Sequence, residues 1–150
     1  MAARLSRATL SAIASPVAVP SYQPEQLSPG IVHIGVGNFH RAHQAVYLDE
    51  LFEQGLDRDW ALIGTGVRES DAEMRADLAA QDFLTTVVAQ EASSSQARII
   101  APMLDFVAPG ETDAVLAQLV DPRTRIVSLT VTEGGYYLDP ATQAFAAEHP

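Results

Sequence analysis

The 150-residue chain contains no cysteine. That excludes disulfides, thiolate nucleophiles and cysteine-ligated zinc. All nine of its basic residues are arginine, so no lysine is present to act as a general base or to form a Schiff base. Basic residues are scarce beside 19 acidic ones, which gives a formal net charge of −10. A charge of that sign, with no basic run, argues against a nucleic-acid surface. No apolar stretch approaches the roughly 18 residues of a membrane span. These features are compatible with a cytoplasmic protein that binds neither nucleic acid nor membrane.

The composition, 47% hydrophobic and 19% charged, is that of one soluble domain with its own core. Residues 1–29 carry Arg4 and Arg7 but no acid before Glu25. A targeting peptide is one reading of that bias. An N-terminal arm is the favoured one, its later part held extended by Pro16, Pro20, Pro24 and Pro29. From residue 30 onward, apolar runs and amphipathic stretches alternate. The patterning predicts buried strands at 31–35, 60–64 and 125–131 and helices at 41–54, 70–81 and 111–119, with a further helix beginning at 141–148. Runs at 83–90 and 97–104, joined by the polar segment EASSSQ, predict a hairpin inserted at the sheet edge. Such alternation indicates an α/β fold with a mainly parallel sheet and flanking helices.

The segment GIVHIGVGNFHRAHQ holds the first candidate site. Gly35 and Gly37 follow a strand and precede a helix, as in the first two-thirds of a dinucleotide fingerprint. Gly35 permits the tight turn, and Gly37 lets a pyrophosphate approach the backbone beside the amides of Asn38 and Phe39. Where the third fingerprint glycine belongs, the sequence has His40. That side chain either pushes helix and strand apart or requires a turn built differently. His40, Arg41 and His43 also place three cationic candidates where a helix start favours acids. A bound anion reverses that penalty, with Arg41 as a charge-assisted phosphate contact. Packing against the strands is the alternative for the two histidines, and solvent or a nearby acid for Arg41. His40 and His43 have a metal-compatible spacing, but no third ligand is evident, so no metal is expected. In open parallel sheets ligands bind at the carboxyl ends of the strands, and the loops after Gly35, Gly64 and Val131 all lie there.

Three blocks, GIVHIGVGNFHRAHQAVYLDEL, AAQDFLTTVV and RIVSLTVTEGGYYLDP, closely resemble the N-terminal part of the mannitol dehydrogenase family. The resemblance runs from about Leu5 to the end of the chain and includes the N-terminal arm. It implies a Rossmann-like domain over residues 30–150, preceded by an arm over 1–29. The implied reaction is an NAD(P)-dependent, zinc-free interconversion of a sugar alcohol and a ketose. Reduction of a hexuronate and a non-catalytic dinucleotide-binding module are the alternatives. In the family a helical second domain supplies a catalytic lysine with nearby Asn and His. This lysine-free chain implies only the cofactor half, with no catalytic residue of its own, whether it is a fragment or a genuine short product. By similarity Asp71 faces the adenosine ribose and favours NAD over NADP, while Arg68 pulls the other way. The resemblance also places Thr132, Glu133 and Gly134 near the nicotinamide half.

Overall fold

A computed structural model describes residues 4–68, 70–131, 133–139 and 141–146. Four parallel strands form the main sheet in the order β5-β2-β1-β6. They are β1 (Pro29–Ile34), β2 (Ala61–Thr65), β5 (Met103–Val107) and β6 (Ile126–Leu129). From β1 the chain steps outward through β2 to β5, then returns to place β6 on the free side of β1. The direction of winding therefore reverses between β1 and β6, which is where open α/β sheets bind ligands.

The expected first helix is two helices. α1 (Asn38–Ala42) begins just after the glycines, and α2 (Gln44–Glu53) follows a break at His43, whose backbone (φ −126°, ψ −80°) is not helical. α2 presses Ala45, Leu48 and Phe52 into the core beside Ile31, Leu62 and Ile100. Close approach comes at Gly64 of β2, where a Cβ would lie 2.8 Å from Val36 Cγ2. α3 (Asp71–Ala79) and α4 (Thr112–Leu119) complete the α-helices among the described residues.

The region after α3 departs from expectation. β3 (Thr85–Gln90) and β4 (Ser95–Ile100) do pair antiparallel, but as a separate two-stranded sheet rather than an insertion at the edge of the main one. The run at 97–104 is not one strand. Pro102 has no N–H to give to a ladder, and beyond it β5 crosses into the parallel sheet. β6 was expected to be buried, yet it is an edge strand with Ile126, Val127 and Leu129 exposed. The described part of 141–148 is not helical. It forms a turn in which Asp139 Oδ1 accepts the N–H groups of Ala141 and Thr142, and residues 147–148 lie outside the described residues.

The N-terminal arm is neither loose nor simply extended. Two 3-10 turns, Arg7–Ala12 and Pro24–Gln26, shape it, and Leu5, Leu10, Ile13 and Val17 pack on the core. Tyr22 is itself a core residue. Its hydroxyl donates to Asp49 Oδ1 at 2.5 Å, and the Ala101 N–H lies 3.2 Å from both oxygens. Arm, α2 and the β4–β5 junction meet in this one buried polar cluster.

Candidate functional site

The turn after β1 has two glycines with different reasons to be glycine. Gly35 sits at φ +88°, a left-handed conformation that side chains resist. Its N–H donates to Thr65 O at 2.9 Å, and its carbonyl accepts the Gly37 N–H at 2.8 Å. Gly37, at φ −96°, adopts a backbone open to any residue. A Cβ there would find nothing closer than Gly35 O at 3.9 Å. The chain's own packing makes no demand for glycine at position 37. What its absent side chain leaves is open space against the turn.

Of the three cationic candidates, only Arg41 carries a permanent charge at this turn. Its Nη2 donates to Asn38 Oδ1 at 2.6 Å, while its Nε is buried with no hydrogen-bond partner. Among the described residues no carboxylate lies within ion-pair distance of Arg41. His43 is exposed, stacked on the exposed ring of Phe39 with its Nδ1 3.0 Å from Phe39 O, so the expected packing against strands does not hold for it.

His40 does pack against a strand, and it resolves the missing third glycine. Its ring lies flat on that of His33 in β1, with centroids 3.7 Å apart and planes 9° apart. Two stacked rings mediate the contact that a bare Cα would have made closer, and the break at His43 redirects the chain afterwards. Burial, then the neighbouring His33 and Arg41, lower the pKa of His40 to about 3. It is therefore neutral at physiological pH. Both of its ring nitrogens are buried without partners, an arrangement that native proteins seldom tolerate without a reason.

His33 escaped the sequence reading, although it occupies the centre of the site. Its Nδ1 lies 2.9 Å from Ser128 Oγ, and its Nε2 lies 3.2 Å from both Gly35 O and Thr130 Oγ1. Burial lowers its pKa as well. His33, Ser128 and Thr130, with His40, Gln44 and Tyr136, line a cavity of about 370 Å³ at the carboxyl ends of β1 and β6. A larger concavity of about 620 Å³ lies between the arm, α2 and the hairpin. It touches no residue of the glycine turn, and its charged groups, Glu50 and Arg98, pair with each other at 3.1 Å.

At the end of β2, Gly66 makes room for a carboxylate: a Cβ there would fall 2.5 Å from Asp71 Oδ2. That oxygen accepts the N–H groups of Val67 and Arg68 at 3.0 and 2.9 Å. Asp71 thus fastens the loop through Oδ2, a task the sequence did not indicate. Beyond β6, Glu133 and Gly134 belong to a 3-10 turn, Glu133–Tyr136. Thr132 and Glu69 lie outside the described residues. Gly35, Gly37, Asn38, Phe39, His40 and Arg41 thus share one turn at the strand ends, and Asp71 stands at the end of the adjacent strand β2.

Comparison with known proteins agrees with this fold. A family model described as the mannitol dehydrogenase Rossmann domain matches residues 29–149. Mannitol 2-dehydrogenase of Cereibacter sphaeroides is 58% identical over 133 residues, 87% of this chain and 28% of that protein. The enzyme of the same name from Pyricularia oryzae is 44% identical, over 89% of this chain and 27% of its own length. Among solved structures, Pseudomonas fluorescens mannitol 2-dehydrogenase in ternary complex with NAD and D-mannitol superposes with a TM-score of 0.86 at 40% identity, covering 97% of this chain and 30% of that one. A D-sorbitol dehydrogenase in substrate-free form gives 0.80 at 37% identity, with 97% and 31% covered. The chain therefore spans under a third of the length of the relatives it matches.

Proposed function

The chain belongs to the mannitol dehydrogenase family, and from that premise we propose that it is the NAD-binding part of a polyol 2-dehydrogenase, which interconverts a sugar alcohol and a ketose by hydride transfer. The observation that carries the reading is the open space at Gly37, at the carboxyl edge of β1 and beside the point where the sheet reverses its winding. Its backbone is free to be any residue, so an outside body is the economical reason for glycine there. A dinucleotide pyrophosphate has the shape and charge to fill that space. The relatives compared are named for sugar alcohols, which favours a polyol over a hexuronate.

NAD, once bound, supplies the hydride acceptor. The chain's own residues bind and orient. Gly35 and Gly37, with Asn38 and Phe39, cradle the paired phosphates. Arg41, whose guanidinium has no carboxylate partner among the described residues, adds charge-assisted contacts to them. His40 stays neutral and fixes the distance between turn and strand. Asp71, its Oδ2 already holding the loop, presents Oδ1 to the adenosine ribose hydroxyls and repels a 2′-phosphate. By the family resemblance, Thr132, Glu133 and Gly134 belong to the nicotinamide half. The base that takes the alcohol proton lies outside this lysine-free chain, so the chain alone binds cofactor without turning over substrate.

Calorimetric titration with NADH and NADPH tests the reading. NADH binds more tightly, Asp71→Ala narrows the difference, and Gly37→Val and Arg41→Ala each weaken NADH. Of these, Gly37→Val, which fills the space itself, weakens it most. Binding untouched by both turn substitutions overturns the assignment.

A further inference from the structure

Resting on the dinucleotide reading above, we propose that His33 is a positioning residue that sets the nicotinamide side of the site, by tying the end of β6 to the glycine turn. The argument begins with its tautomer. A carbonyl oxygen can only accept, so the 3.2 Å contact between His33 Nε2 and Gly35 O places the ring proton on Nε2. A neutral imidazole has one N–H, and Nδ1 is then an acceptor for the Ser128 hydroxyl at 2.9 Å. Thr130 Oγ1, also 3.2 Å from Nε2, shares the same proton. One buried ring thus reaches the pyrophosphate turn with one edge, and with the rest Ser128 of β6 and Thr130 just past its end.

The two sides differ in how much they depend on that ring. The turn is held independently by the bonds Gly35 N–H to Thr65 O, Gly37 N–H to Gly35 O and Arg41 N–H to Gly37 O, all between 2.8 and 3.1 Å. Beyond the ladder that pairs Ile126–Leu129 with β1, the end of β6 has little else. Its last backbone bond to β1, from Thr130 N–H to Ile34 O, is stretched to 3.4 Å, and its outer edge has no strand partner among the described residues. Removing the His33 bonds therefore frees the side chains of Ser128 and Thr130 while the turn stays in place. These two residues line the cavity of about 370 Å³, at the lower end of the range for small-ligand clefts. His40 seals the ring from its open face, which keeps His33 dry and its tautomer fixed.

The test compares two ligands on the 150-residue chain: NADH, and ADP, which carries the adenosine and paired phosphates but no nicotinamide riboside. His33→Leu is expected to weaken NADH by about five- to tenfold, the worth of one or two hydrogen bonds, and to change ADP by less than about twofold. Ser128→Ala and Thr130→Val each give a smaller loss of the same selectivity. His33→Gln, whose amide N–H can still reach Gly35 O, recovers part of the NADH affinity. Nitrogen NMR of the wild-type ring should report the Nε2–H tautomer. If His33→Leu fails to fold by circular dichroism, the two hydroxyl deletions at half-buried positions carry the test. Equal loss of NADH and ADP affinity overturns the positioning role and leaves the dinucleotide reading standing. So does an unchanged affinity for both ligands. A wild-type chain that binds neither ligand removes the dinucleotide reading and this inference with it.

Discussion

The two flanks of β1 are built to different standards. On one side, the arm, α2 and the hairpin enclose Tyr22, Phe52, Leu84 and Ile100, each nearly or fully buried. Tyr22 meets Phe52 edge-on at 5.6 Å, and the buried Asp49 Oδ1 accepts from both the Tyr22 hydroxyl and the Ala101 N–H. On the other side, β6 exposes Val127 and Leu129, α4 exposes Leu116 and has no buried residue, and Val120 at its C-terminal end is exposed too. Both flanks are apolar in sequence, so composition does not separate them. What separates them is whether a partner element exists among the described residues. The site lies on the seam, where a rigid turn faces a strand whose outer edge is free.

The sharpest way to break the comparison is to delete the same kind of mass on each flank. Phe52→Ala empties a fully buried position and is expected to cost about 3–5 kcal/mol. Val127→Ala removes a half-exposed side chain from the free strand and should cost about 1 kcal/mol or less. Urea unfolding of the two variants measures the contrast. Equal losses would mean that β6 is as well packed as the closed flank.

The next effect lies on the seam and depends on pH. The pKa of His40 is lowered to about 3, chiefly by burial. Between that value and the ordinary 6.5 the unfolded chain takes a proton that the folded chain refuses. Stability is therefore complete above about pH 6.5 and falls as pH drops toward 3, by as much as about 4–5 kcal/mol. His33, lowered in the same direction, steepens the fall. Asp49 acts oppositely: burial raises its pKa, so its cost to the fold is relieved as acid protonates it. His40→Phe keeps an aromatic ring for the stack and removes the proton. Its stability should vary less between pH 7 and pH 4.5 than that of the wild type, and an unchanged slope would show that His40 is already hydrated or paired.

Much of this arrangement could be read from the chain, for identifiable reasons. Gly35 was legible because the turn it makes is sterically closed to other residues, and βαβ spacing around it is a local signal. Pro102 was also legible in principle, since a proline inside a strand-like run marks a break, yet the run ARIIAPML reads as one strand when periodicity alone is followed. The His33–Ser128–Thr130 cluster could not be read, because its members are 95 and 97 residues apart and only the β1–β6 pairing brings them together. The exposure of β6 was hidden for a related reason. A strand's own residues say that it is apolar, not what lies beyond it. Asp71 shows a third kind of limit: its loop-fastening bonds and a ligand contact call for the same residue type.

A moderate effect tests the closed flank from its polar side. Tyr22→Phe keeps the ring against Phe52 and removes the hydroxyl that donates to Asp49. The buried carboxylate then retains the Ala101 N–H but loses its shortest bond. The expected cost is about 1–3 kcal/mol at neutral pH, measured by thermal unfolding. It should shrink in acid, where Asp49 is protonated and needs one acceptor contact fewer. A cost independent of pH would mean that the hydroxyl serves Ala101 rather than the carboxylate.

The smallest change in stability is expected where the flank is open, and there another property should move instead. Leu129 is 58% exposed on a strand whose outer N–H and C=O groups have no ladder partner among the described residues. An apolar, unpaired edge is a template for pairing with another chain. Leu129→Lys places a charge on that edge without disturbing a packed contact, so unfolding should shift by no more than about 0.5 kcal/mol. Light scattering at increasing protein concentration should nevertheless show less self-association, because a strand that docks on β6 must now bury a lysine. If Leu129→Lys instead destabilises the fold by as much as Tyr22→Phe, the side chain is buried in solution and the two flanks are alike. If stability and self-association both stay at wild-type values, the β6 edge is not where chains meet, and the exposed face of α4 becomes the place to look.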